Sequence, residues 1–132
     1  MIIEKIKNKG EEMSVLEGME RLQYLIDEAR KVPPLADEHK TEENKIRGCI
    51  SNLWVGGEVL ADGTMEYYHD ADSHMTKGTA KVILDMVNGE TKEEVANLTI
   101  DSFRPLGIRE LLTMQRQVGF AGLIERIIRI AQ

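Results

Sequence analysis

The sequence predicts an α+β fold, a small antiparallel sheet with helices packed on one face. Three observations carry that expectation. Apolar residues recur at helical spacing before Pro33-Pro34, two strand-like runs flank Ala61-Asp-Gly-Thr64, and helical spacing returns from Met75 to the C-terminus. The 132 residues suit one domain, and a chain of that size buries roughly two-thirds of its unfolded surface.

Taken in order, the first helix is expected to open at Ser14-Val-Leu-Glu17, which reads as a capping box. Its apolar face is Val15, Leu16, Met19, Leu22, Leu25, Ile26 and Ala29. Pro33-Pro34 stops it, since proline cannot continue a helix. Residues 1–12 are left as an N-terminal extension, either a short extra turn or disordered, ahead of a domain spanning 13–132. The charged stretch from Leu35 to Lys45 reads as a solvated loop. The second half of Ile46–Val55, with Glu58-Val-Leu60, reads as strand; Asp62-Gly63 supplies the positive torsions of a hairpin turn, and Met65–Asp70 returns. Met75, Thr79, Val82, Ile83, Met86 and Val87 then form a helical face ending at Asn88-Gly89, with Asp72 as the expected N-cap. Thr91-Lys-Glu-Glu94 is a second capping box and opens a short helix through Leu98. Asp101 or Ser102 is expected to cap a brief helical piece around Pro105–Met114. The last helix begins near Gly119 and buries Phe120, Leu123, Ile124, Ile127, Ile128 and Ala131.

Composition narrows the function. With 42% hydrophobic, 30% charged and 5% aromatic residues, the chain reads as globular with an aliphatic core. The net charge is −6 and the seventeen basic residues are scattered, which argues against nucleic acid, because phosphate binding needs clustered Lys and Arg. The N-terminus lacks the apolar core of a secretion signal, and no apolar run approaches the ~20 residues that span a bilayer. A cytoplasmic location without membrane contact is the resulting expectation.

A single cysteine excludes an intrachain disulfide, CxxC redox chemistry, and a zinc or iron–sulfur site built from this chain's thiolates alone. Cys49 is therefore either core filler or a working thiol. Gly48 beside it permits a tight turn and close approach by another backbone. Arg47 favours the thiolate, the form that attacks sulfur. A cysteine protease would need a His base, for which His39, His69 and His74 are available, but no protease-like signature surrounds Cys49.

Asn44-Lys-Ile-Arg-Gly-Cys-Ile-Ser-Asn-Leu-Trp54 resembles the Asn-x-x-x-Gly-Cys-x-Ser-x-hydrophobic-Trp signature of the SufE family, which includes CsdE. Further matches follow in order. Pro33 and Leu35 resemble a Pro-x-Leu after the first helix, and Asp70-Ala-Asp-Ser-His-Met-Thr-Lys-Gly78 resembles the segment opening the central helix. Asn88–Glu94 resembles the Gly-x-Thr-Pro-Glu-Glu turn, and Arg116-Gln-Val-Gly-Phe120 the approach to the last helix. Three positions depart. Arg47 stands where many relatives have a neutral amide, Ala71 replaces a Ser, and Val118 replaces a frequent Asn. The resemblance covers about residues 13–132.

That resemblance implies the SufE/IscU-like sandwich and a persulfide mechanism. Cys49 would accept sulfur from a SufS-like cysteine desulfurase, stimulate that enzyme, and deliver the sulfur through a SufBCD-like scaffold for iron–sulfur cluster assembly. No cofactor belongs to this chain, because the pyridoxal phosphate is the partner's. The persulfide loop and pocket would draw on Asn44, Arg47, Gly48, Ser51, Trp54, Asp72, Arg116 and Gly119. Because a persulfide is labile to reductants and oxidants, the Cys49 loop is expected to rest inward, on a pocket of Leu53, Trp54 and last-helix residues, and to swing outward on docking. Arg116 either pairs with a surface carboxylate or faces Cys49, and Lys77 reads as a solvated helix residue. The group His69, Asp70, Asp72 and His74 invites a metal, but a strand followed by a helix cap explains it, so no metal site is assigned. Two other functions stay open: a non-catalytic scaffold for a nascent cluster, and a regulatory binding module of the desulfurase. Monomer and homodimer are equally compatible.

Overall fold

A computed structural model describes residues 2–48 and 51–132. Its helices and strands run α1 (Ile2–Ser14), α2 (Met19–Ala29), β1 (Leu53–Val59), β2 (Met65–Ala71), α3 (His74–Val87), α4 (Lys92–Ala96) and α5 (Met114–Ala131). Short 3-10 segments lie at Asp37–His39, Ile100–Leu106 and Arg109–Leu111. The two strands pair antiparallel, from Val59 opposite Met65 at the turn to Leu53 opposite Ala71 at the far end. The predicted α+β architecture is therefore present. Among the described residues no helix is long and apolar enough to cross a membrane.

Strand alternation separates the two faces of the sheet. Leu53, Val55, Tyr67 and His69 share the inner face and are buried. On that side α3 packs on β2 and α5 on β1. Trp54, Gly56 and Tyr68 lie on the outer face. There the Tyr68 ring covers Gly56 so closely that a Cβ would stand 2.5 Å from it. His39 stacks on Tyr68 at 4.5 Å, and the Lys40 ammonium sits 5.3 Å from the centre of the Trp54 ring.

Helix boundaries depart from the sequence expectation in several places. Ser14 ends a helix instead of starting one, its hydroxyl donating back to Glu11 O at 2.7 Å. Residues 2–12 are helical, and Ile2, Ile6, Gly10 and Met13 pack into the core beside the 100–106 segment. The break falls at Gly18, whose φ is +50°, leaving Val15 and Met19 exposed instead of on an apolar face. The cap of α3 is Ser73, not Asp72: its hydroxyl accepts from Thr76 N. Thr99, not Asp101 or Ser102, precedes the 100–106 segment, its N–H donating to Ser102 Oγ at 3.0 Å, while Asp101 pairs with Arg104. Finally, α5 begins at Met114, five residues before Gly119, capped by Thr113. Thr91 caps α4, its hydroxyl accepting from Glu94 N and donating to the Glu94 carboxylate. The reciprocal bond from Thr91 N that would complete the expected box is not formed, and the helix ends at Ala96.

Gly78 is where α3 meets α2 most tightly. A Cβ there would run into the Leu25 carbonyl, an atom of a helix backbone that cannot rotate away. Gly78→Ala is expected to force the helices apart at a cost of about 3 kcal/mol, the upper part of the overpacking range. Urea unfolding would show a lower midpoint at an unchanged slope.

Candidate functional site

The two arms that carry the 47–52 loop are pinned before and after Cys49. On the incoming arm, Asn44 O accepts from Val55 N and Ile46 N donates to Leu53 O, each at 2.8 Å, so 44–46 adds a short rung beside β1. The Asn44 side-chain amide donates to His39 O at 2.8 Å and braces the preceding turn. Arg126 reaches over from α5 to donate to Glu43 O at 2.7 Å and to Lys45 O at 3.4 Å. Gly48 has φ +83° and lies against Val118, whose Cγ1 would be 2.8 Å from a Cβ. Glycine is needed here for both reasons: left-handed torsion and lack of space.

On the outgoing arm, the Ser51 and Thr76 hydroxyls share a hydrogen bond of 3.1 Å. Asn52 donates its side-chain amide to Asp72 Oδ2 at 2.7 Å, and Asp72 N donates to Asn52 O at 3.1 Å. Asp72 therefore grips the loop instead of capping the helix. Cys49 and Ile50 lie outside the described residues.

Beside Thr76, the hydrogen-bond partner of Ser51, is a small hollow partly open to solvent. Leu53, Met75, Leu112, Phe120 and Leu123 form its apolar wall, and Gly119 leaves room on the α5 side. Its polar edge is Thr76, Thr79 and Arg116. The half-buried Arg116 guanidinium donates to Thr76 Oγ1 at 2.8 Å and to Ser73 Oγ at 3.4 Å. Among the described residues no carboxylate pairs with it, so its charge meets only hydroxyl dipoles. The surface-carboxylate alternative for Arg116 is overturned. A continuous chain, Arg116 to Thr76 to Ser51, links α5 and α3 to the loop.

Of the expected site residues, the structure thus brings Ser51, Asp72, Arg116 and Gly119 to the outgoing side of the loop and Asn44, Arg47 and Gly48 to its incoming side. Trp54 is not among the pocket residues: as the neighbour of Leu53 on a strand it points to the other face, under Lys40. The sequence reading passed over Ser73, Thr76 and Arg126. Ser73 and Thr76 stand at cap spacing, Ser-x-x-Thr, and that signal was assigned one residue early.

Lys77 is not solvated. Its side chain is 11% exposed and pairs with Asp70 at 3.1 Å. Asp70, 5% exposed, also accepts from Leu35 N at 3.0 Å, from Ala71 N at 2.8 Å and from Lys40 at 3.2 Å. Burial alone would push this carboxyl up. The bonds from Leu35 N–H, Lys77, Ala71 N–H and Lys40 outweigh it and hold the group well below the usual carboxylate range. His69 is buried with its ring nitrogen 3.2 Å from Lys77 O, and burial lowers its affinity for a second proton. His74 is exposed at the start of α3. His69, Asp70, Asp72 and His74 thus have separate surroundings, Asp72 being bonded to Asn52.

Comparison with known proteins shows the family. The family described as "SufE: Fe-S metabolism associated domain" matches residues 7–131. Sulfur acceptor protein CsdE of Escherichia coli is 32% identical over 110 residues, covering 83% of this chain and 75% of that protein. An uncharacterized SufE-like protein of Rhizobium etli is 31% identical over 112 residues, covering 82% and 76%. A solution structure of a hypothetical protein from Thermus thermophilus superposes with a TM-score of 0.79 at 24% identity, over 96% of this chain and 93% of that one. That likeness shows the shared fold.

Proposed function

Because the chain belongs to the SufE family, we propose that it is a sulfur acceptor and carrier working on Cys49. A partner cysteine desulfurase, SufS-like, holds sulfur as a cysteine persulfide. The Cys49 thiolate attacks the outer sulfur; a new S–S bond forms on Cys49, the partner's S–S bond breaks, and the partner's cysteine leaves as a thiolate. The exchange needs no added electrons and no cofactor on this chain. Onward delivery to a SufBCD-like scaffold for iron–sulfur cluster assembly follows the same exchange chemistry.

One observation carries the reading: the described residues before and after Cys49 are tied down, and Ser51 bonds Thr76 at the edge of an apolar hollow whose guanidinium has no carboxylate partner among the described residues. A persulfide anion at rest is suited by such surroundings, with apolar walls to exclude reductants and one positive charge to stabilise the sulfur. The test is the desulfurase's cysteine turnover, titrated with this chain. A saturable rise supports the proposal; a flat response opposes it.

Thr76 gives a separable check on the resting loop. Thr76→Val removes the partner shared by Ser51 and Arg116 while keeping side-chain shape. Alkylation of the thiol in the free chain is expected to become several-fold faster, and Thr76→Ser to restore the slow rate. Equal rates in all three proteins would show that this hydroxyl does not hold the loop.

A further inference from the structure

Beside the incoming arm, away from the apolar hollow, lies a cleft between residues 46–47 and the C-terminal half of α5. Its lining includes Arg47, Arg126 and Arg129, with Glu125 as its one acidic residue. Three guanidiniums against one carboxylate is a local excess of positive charge on a chain whose net charge is −6. None of the three arginines has an ion-pair partner among the described residues. Arg126 is spent on two main-chain carbonyls, Glu43 O and Lys45 O. Its guanidinium is disfavoured first by burial and then by the charge of Arg129. The floor is built for closeness: Gly122 has no side chain, and Ile46 Cγ2 occupies the place a Cβ would need, 2.9 Å away. Arg47, exposed, is two residues before Cys49. An adjoining hollow along the same arm adds Lys45, set against Glu42.

Like charges held together without counter-charges raise the local potential and favour an incoming anion. Geometry selects what kind. Arg47 in the lining stands two residues before Cys49 in the chain, so a group held in the cleft belongs to a partner engaged close to the thiol. A group on the sulfur donor meets that condition.

We propose that the Arg47–Arg126–Arg129 cleft is a docking site for carboxylate side chains of the desulfurase, which orient it over the Cys49 loop. This rests on the sulfur-acceptor reading. Arg126 fixes the arm, while Arg47 and Arg129 present their charge to the partner. Such rim contacts act on encounter and affinity, not on the exchange of sulfur itself.

The experiment compares the intact chain with Arg47→Glu/Arg129→Glu and with Arg30→Glu, an exposed arginine on the flank of α2. Complex formation with the desulfurase is measured by titration calorimetry at two salt concentrations, alongside the KM and kcat of stimulated turnover. The double reversal is expected to raise Kd and KM on the order of tenfold at low salt and flatten the salt dependence of Kd. Arg30→Glu is expected to change neither. Unchanged Kd in the double reversal would overturn the proposal, and so would an equal loss in Arg30→Glu, which would mark a net-charge effect. If the native chain binds the desulfurase but gains no sulfur, the acceptor reading fails while the calorimetry still decides the docking site.

Discussion

Cys49→Ser is expected to abolish sulfur uptake and return the stimulated desulfurase to its basal rate. A serine hydroxyl is neither acidic nor soft enough to attack a sulfane sulfur at neutral pH, so the loss should be complete and not graded. The change is nearly isosteric, and the contacts holding the arms come from Ile46, Ser51, Asn52 and their partners. The variant is therefore expected to fold and to bind the desulfurase with native affinity. That combination separates a carrier from a regulatory module, which would still stimulate without its thiol. Binding and turnover measured on the same preparation make the distinction.

The largest stability effect is expected at Asp70. Asp70→Ala strips Lys77 and Lys40 of their carboxylate and leaves Lys77 buried with an unpaired charge, which costs about 3–5 kcal/mol. Lys77→Met in the same chain should recover part of that loss, because removing both members of a buried pair is far less costly than removing one. Denaturant unfolding of the two variants tests the pairing directly. The same carboxylate sets a pH dependence. Its folded-state affinity for protons is lowered, so below the ordinary carboxylate pKa of about 3.9 the unfolded chain binds a proton that the folded chain does not. Stability from Asp70 is therefore fully present well above that pH and drains away progressively as the pH falls below it toward the lowered value of the folded chain. In Asp70→Ala/Lys77→Met the acid limb of the stability curve should be shallower.

Much of this was legible from residue order alone. The hairpin announced itself through Asp62-Gly63 between two β-prone runs, and the Cys49 segment through glycine and arginine beside the only thiol. What escaped were features whose cause is tertiary. Residues 2–14 carry just three isoleucines and a methionine among charges, and their buried stripe includes Gly10, which no apolar count registers. Gly10 is buried because a Cβ would strike the Pro105 carbonyl. The start of α5 was placed late for a related reason. Gly119 and Gly122 weaken the helical signal, yet one leaves room in the pocket and the other admits Ile46. Lys77 looked like any helix lysine until the fold set Asp70 beneath it. Trp54, a lone large apolar residue on a strand, suggests a pocket wall together with Leu53, but strand alternation sends the two neighbours to opposite faces.

The central claim is that sulfur comes to rest on one atom of this chain. Incubation with a cysteine desulfurase and cysteine, followed by intact mass and peptide mapping, addresses it most directly. The account predicts a gain of one sulfur, confined to the peptide containing Cys49 and removed by a thiol reductant. An unchanged mass, with the desulfurase nonetheless accelerated, would contradict it.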